Sequence, residues 1–96
     1  MGRVWTHGIW TVKPGREDEF VAAWRDLVPA GFRLGAGDPT LLRDRDQPHR
    51  FRSFGPWPDL GAVNRFRDEI GPRIGAMNEL LEGFEPFTLD EVYPGD

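Results

Sequence analysis

The chain has 96 residues and a net charge of −4, with 12 lysines and arginines against 16 aspartates and glutamates. That length supports one domain, residues 1–96, with a core modest enough for association to be a natural supplement. The acidic balance argues against a phosphate-backbone binder, and the lack of cysteine excludes disulfides, thiolate metal sites and a cysteine nucleophile.

Residues 3–12 are β-branched and aromatic, which predicts a first strand. Alternation puts Val4, Thr6, Gly8, Trp10 and Val12 on one face, and Trp5, His7, Ile9 and Thr11 on the other. Both faces are apolar, so a second copy of the chain is the expected cover for the one that the helices leave open. Lys13-Pro14-Gly15 is a turn. A helix follows from Arg16 to about Val28, with acids in its first turn and a stripe of Phe20, Trp24, Leu27 and Val28. Pro29 is expected to end it.

A connection over 29–39 uses Phe32 and Leu34 as expected anchors. Thr40–Arg43 is a short strand, a polar hairpin connection follows, and 48–57 is a strand expected to stop abruptly at Gly55-Pro56 and to deliver Trp57 to the next helix. Arg43, Arg45, Arg50 and Arg52 interleave with Asp44 and Asp46, a solvated mixed-charge pair of strands and not a nucleic-acid surface. The next helix begins after Pro58-Asp59, is interrupted at Gly71-Pro72, resumes to Leu81 and is capped by Gly83; residues 84–93 form the last strand and 94–96 a tail. The order β-α-β-β-α-β is the α+β, ferredoxin-like arrangement: a four-stranded antiparallel sheet with both helices on one face.

No apolar run reaches membrane-spanning length and there is no signal-peptide core, so no membrane partner and a cytoplasmic location are expected. Gly2 with Thr6 fits an N-acylation pattern, but Val4 and Trp5 place the match inside a strand, and it is read as accidental. Only His7 and His49 are present, without metal-site spacing, and no nucleotide-binding glycine pattern or nucleophile elbow occurs, so no metal site is expected. His7 reads first as a hydrogen-bonded buried or interface histidine, and more sharply as a proton-moving handle in an aromatic pocket. Trp57 reads as a corner-sealing wedge or as the wall on which a flat substrate stacks. Asn64 and Arg67 are close enough in sequence to join it at one pocket.

The stretches 12–24, 41–44, 47–57 (Gln-Pro-His-Arg-Phe-Arg-Ser-Phe-Gly-Pro-Trp) and 84–89 resemble the antibiotic biosynthesis monooxygenase domain family. The resemblance implies a homodimer, the dimeric α/β barrel, in which two ferredoxin-like subunits pack sheet to sheet. It implies oxygenases that convert polycyclic phenols to quinones without a cofactor, molecular oxygen being the co-substrate. Trp57 matches the family's tryptophan at the end of the third strand. The asparagine that quinone-forming members place four residues earlier falls at Ser53, and their helix tyrosine falls at Val63. The histidine that haem-degrading members need falls at Arg67 and their first-strand asparagine near Gly8, so haem is disfavoured. The expectation is a monooxygenase acting on a small aromatic, polyketide-like molecule. His7 would accept the proton, Trp57 form the wall, and Ser53, Asn64 or Arg67 hold substrate oxygens. The alternative is a non-catalytic dimeric module that binds a small ligand on the same fold.

Overall fold

The computed structural model describes residues 3–94; Gly2 of the acylation pattern and residues 95–96 of the tail lie outside them. The elements are β1 (Val4–Val12), α1 (Glu17–Arg33), β2 (Thr40–Arg43), β3 (Arg50–Trp57), α2 (Leu60–Asn78) and β4 (Leu81–Asp90). The sheet order is β2-β3-β1-β4 with every neighbouring pair antiparallel, the ferredoxin-like fold.

β1 is central, so the partners on either side of it fix which side chains share a face. Thr6 lies between Gly55 and Thr88, Gly8 between Ser53 and Pro86, and Trp10 between Phe51 and Phe84. All of these face the helices. Trp10, Val12, Phe20, Leu27, Phe51 and Ile70 form the main core there, and Trp57, Ala62 and Val63 a second cluster. Thr11 and Val12 pair with Gly83 and Leu81, a break in register that bulges β4. Gly83 therefore belongs to the strand and is not a helix cap.

Both helices run through the prolines expected to break them. Pro29 lies inside α1 and Pro72 inside α2. Each proline is exposed, and so are Arg25 and Asp68, whose carbonyls lose their helical donor; water can take those bonds. α1 ends later, at a Schellman arrangement in which the Ala36 N–H donates to the Gly31 carbonyl and the Gly35 N–H to that of Phe32. Gly35 has φ of 90°, the left-handed geometry that the motif demands. Phe32, expected as an anchor, is half-exposed, whereas Leu34 packs on the Trp57 cluster.

β3 does not stop at Gly55-Pro56. Pro56 pairs with Trp5 and Trp57 with Val4, beyond the point where β2 ends at Thr40 opposite Phe54, so the missing N–H breaks no bond to β2. In the β2–β3 connection, Asp44 Oδ1 accepts the N–H groups of Asp46 and Gln47 at 2.8 and 3.1 Å, which hold its carboxyl below the usual aspartate range. This contribution is full above the unfolded-chain pKa and is lost as pH falls through the lowered folded one.

Asp59 caps α2, its carboxylate accepting the Ala62 N–H at 2.8 Å. Asp59→Ala should lower stability by about 1 kcal/mol. Urea unfolding of the two proteins side by side measures it, and an unchanged midpoint would show that the cap contributes nothing.

Candidate functional site

A cavity of about 640 Å³ lies between the helices and the sheet. The sheet makes room for it with small side chains. The rows Thr88–Thr6–Gly55 and Pro86–Gly8–Ser53 carry nothing larger than a proline. Trp10, stacked on Phe84 at 4.0 Å between ring centroids, stands at one end of this low floor. Trp57 leans over it from the other end.

Both indoles are held by hydrogen bonds. Trp57 Nε1 donates to Thr6 Oγ1 at 3.0 Å, and its ring packs against Phe66 at 4.9 Å. Only 5% of Trp57 is exposed. Trp10 Nε1 donates to Ser53 Oγ at 2.9 Å. Since Ser53 Oγ accepts there, its own proton remains to be donated into the cavity. Gly8 permits this arrangement: a Cβ on it would come within 2.8 Å of Trp10 Nε1, 2.9 Å of Phe84 and 3.0 Å of Ser53 Oγ. The position where haem-degrading members would need an asparagine therefore has no room for a side chain.

On the helix side, Val63 is fully buried and borders the cavity beside Trp57. Arg67, one turn further on, stands at the exposed rim, where its Nη2 donates to Thr88 Oγ1 at 3.2 Å. Thr88 pairs directly with Thr6, so Arg67 and the Trp57 indole converge on one row of the floor.

The structure thus brings together Trp57, Ser53 and Arg67. It does not bring Asn64 or the His7 ring to them. Asn64 follows the inward-facing Val63, is exposed, and does not border the cavity. His7 is among the residues that line the cavity, but it pairs with Phe54 and Phe87 in the opposite phase of the strand from Thr6 and Gly8. Its imidazole is on the far face of the sheet, stacked between Phe54 at 4.4 Å and Phe87 at 5.5 Å. Nδ1 lies 3.1 Å from the Ser53 carbonyl, which can only accept, so in the neutral ring Nδ1 carries the proton. A proton acceptor for the cavity cannot be this ring in this position.

Four contributors are not legible as site residues in the sequence: Thr6, Gly8, Phe84 and Thr88. Strand alternation groups Thr6 with Gly8, but what they face depends on the register with β3 and β4. Among the described residues, no group of three or more His, Cys, Asp or Glu is placed to hold a metal ion, and no helix is long and apolar enough to cross a membrane.

Helices over one face of a ferredoxin-like sheet, enclosing an apolar hollow with a few polar groups, define a fold suited to small molecules. The chain belongs to the antibiotic biosynthesis monooxygenase family, whose sequence pattern matches residues 6–80. SnoaB, a cofactor-independent oxygenase from Streptomyces nogalater, superposes with a TM-score of 0.84 at 24% identity, over 98% of this chain and 99% of that one. PA3566 from Pseudomonas aeruginosa gives 0.81 at 25% identity, over 96% of both chains. SO0527 from Shewanella oneidensis gives 0.82 at 23%, over 94% of this chain and 91% of that one. No curated protein matches the chain.

Gly8→Ala should destabilise the protein by about 1–3 kcal/mol, because the stacked Trp10 and Phe84 rings cannot both move away from the new methyl. Chemical denaturation reads this directly; an alanine variant as stable as the parent would show that the floor is looser than described.

Proposed function

We propose that the chain is a cofactor-independent monooxygenase that oxidises a small aromatic, polyketide-like substrate to a quinone. The observation that carries this reading is the Trp57-walled cavity with its low floor, the Ser53 hydroxyl within it and Arg67 at its rim. Family membership and the likeness to SnoaB support it.

In this reaction the electrons come from the substrate. An ionised hydroxy-aromatic carbon bonds to molecular oxygen, the resulting peroxide takes up a proton, and loss of water leaves a carbonyl where a CH₂ group stood. The protein then has three tasks. Trp57, its N–H already committed to Thr6, offers a fixed ring face and positions the substrate. The Ser53 hydroxyl and the Arg67 guanidinium stabilise negative charge on oxygen. The apolar surround strengthens both interactions.

The residues lining the cavity also favour a second reading, a dimeric ligand-binding module of the same fold. Ser53 and Val63 stand where quinone-forming members carry asparagine and tyrosine, and no carboxylate or imidazole faces the cavity among the described residues. The two readings separate cleanly. Under air, with a panel of anthrones and hydroquinones, the oxygenase should form quinone and consume oxygen stoichiometrically. Trp57→Phe, which keeps the core but loses the Thr6 bond, should cut kcat/KM by about tenfold, or 1.4 kcal/mol. Tryptophan quenching by the same compounds with no oxygen uptake would leave the binding module as the function.

The far face of the sheet carries Trp5, Ile9, Phe54, Phe87 and Leu89, over which no helix or strand of the described residues packs, with Phe87 at 39% and Leu89 at 44% exposed. A second copy, closing a sheet-to-sheet dimeric barrel, is the cover that the family resemblance implies and that such a patch calls for. Sedimentation at micromolar concentration should show a species of twice the chain mass, and Phe87→Glu should shift it to monomer. A monomeric parent protein would rule the dimer out.

A further inference from the structure

We propose that Arg67 is the counter-charge for a ligand that enters the cavity already ionised: a flat aromatic bearing a carboxylate or phenolate oxygen at its outer end. The inference rests on reading the cavity as an aromatic site and names the class of molecule that it selects.

Among the described residues, no aspartate or glutamate borders the cavity, and Arg67 contributes the only cationic side chain directed toward it, the His7 ring being behind the sheet. A guanidinium has five N–H donors. Thr88 receives one bond from Arg67, and none of the ion pairs among the described residues involves it. Glu69, the acid two positions along α2, is taken up by Arg33 at 2.7 Å. An arginine with unused donors beside an apolar hollow presents a fork suited to a carboxylate or phenolate oxygen.

The geometry also gives the ligand a direction. Arg67 is at the rim, on the Thr6–Thr88 row, whereas the stacked Trp10 and Phe84 share a row further inward, beyond Gly8–Pro86. The charged oxygen therefore points outward and the rings inward, across the low floor past Gly8. No imidazole or carboxylate faces the cavity among the described residues to accept a proton from the bound molecule. The anion must then form in solution or at the rim. Acidic hydroxy-aromatics and aromatic acids meet that condition near neutral pH, while a simple phenol, with a pKa of about 10, does not.

The test is binding, independent of turnover. Tryptophan quenching is titrated with an anthraquinone monocarboxylate and with the matching carboxamide, in the parent protein, Arg67→Gln and Arg67→Lys. The carboxylate should bind about tenfold more tightly than the amide to the parent. That preference should vanish in Arg67→Gln and return in part in Arg67→Lys. A monohydroxyanthraquinone and its methyl ether form the phenolate arm: the phenolate absorption band should appear at lower pH in the complex than in free solution, and that shift should be lost in Arg67→Gln. A preference confined to one arm identifies which anion is meant. Equal affinity for charged and neutral members in both arms, or a preference that survives Arg67→Gln, overturns the role of Arg67 and leaves the aromatic site standing. If none of the four compounds quenches the parent protein, the aromatic-site reading falls and this inference with it.

Discussion

Two indole N–H groups in the apolar half of the molecule each need an acceptor, and the way the chain supplies them shapes everything around the cavity. An unpaired buried donor costs about 1–3 kcal/mol, a large fraction of the stability of so small a domain. Thr6 takes the Trp57 proton and Ser53 takes that of Trp10. Each acceptor comes from the neighbouring strand, so each bond ties β1 to β3 through side chains as well as through the backbone. The rings become fixed surfaces in place of mobile ones, and the hollow between them keeps its shape.

The same two bonds make the polar groups near the hollow unequal. The two indole N–H groups are satisfied within the fold, and the rings offer a ligand shape alone. Ser53 and Arg67 retain donors. Recognition thus falls to a few hydroxyls and one charged group at different depths, on a floor kept low by Gly8, Gly55 and Pro86. That economy suits a molecule that is mostly ring, with oxygen at a few points on its edge.

The order of elements was legible in the sequence because apolar spacing changes from alternate to helical at each turn residue. Helix lengths were less legible, for a physical reason: proline rules describe the lost bond, and whether the freed carbonyl meets water depends on the side of the helix it faces. Pro29 and Pro72 both face outward. Trp57 and Ser53 share one strand phase and could be grouped from sequence. Asn64 stands one position from the inward-facing Val63, and on a helix one position is about 100° of rotation. The chemistry of His7 is legible in the sequence, but the side of the sheet that its ring occupies is set by the pairing with Phe54 and Phe87. Gly8 looked like an ordinary strand residue; its missing side chain has meaning only once Trp10 folds over it and Phe84 arrives from the far end of the chain.

The sheet, one residue thick, is a partition whose sides can be told from the residue number. Even positions of β1, odd positions of β3 and, past the bulge, even positions of β4 from Phe84 onward look toward the helices, and the alternate positions look toward the far face. The only material between the Ser53 hydroxyl and the His7 imidazole is backbone, and the imidazole leans on the carbonyl of Ser53 itself. Evolution or an engineer can therefore rewrite what the molecule holds and what it adheres to as separate texts on two sides of one page. At Ser53 the ink shows through: its hydroxyl serves the hollow, while its carbonyl meets the ring on the outer side.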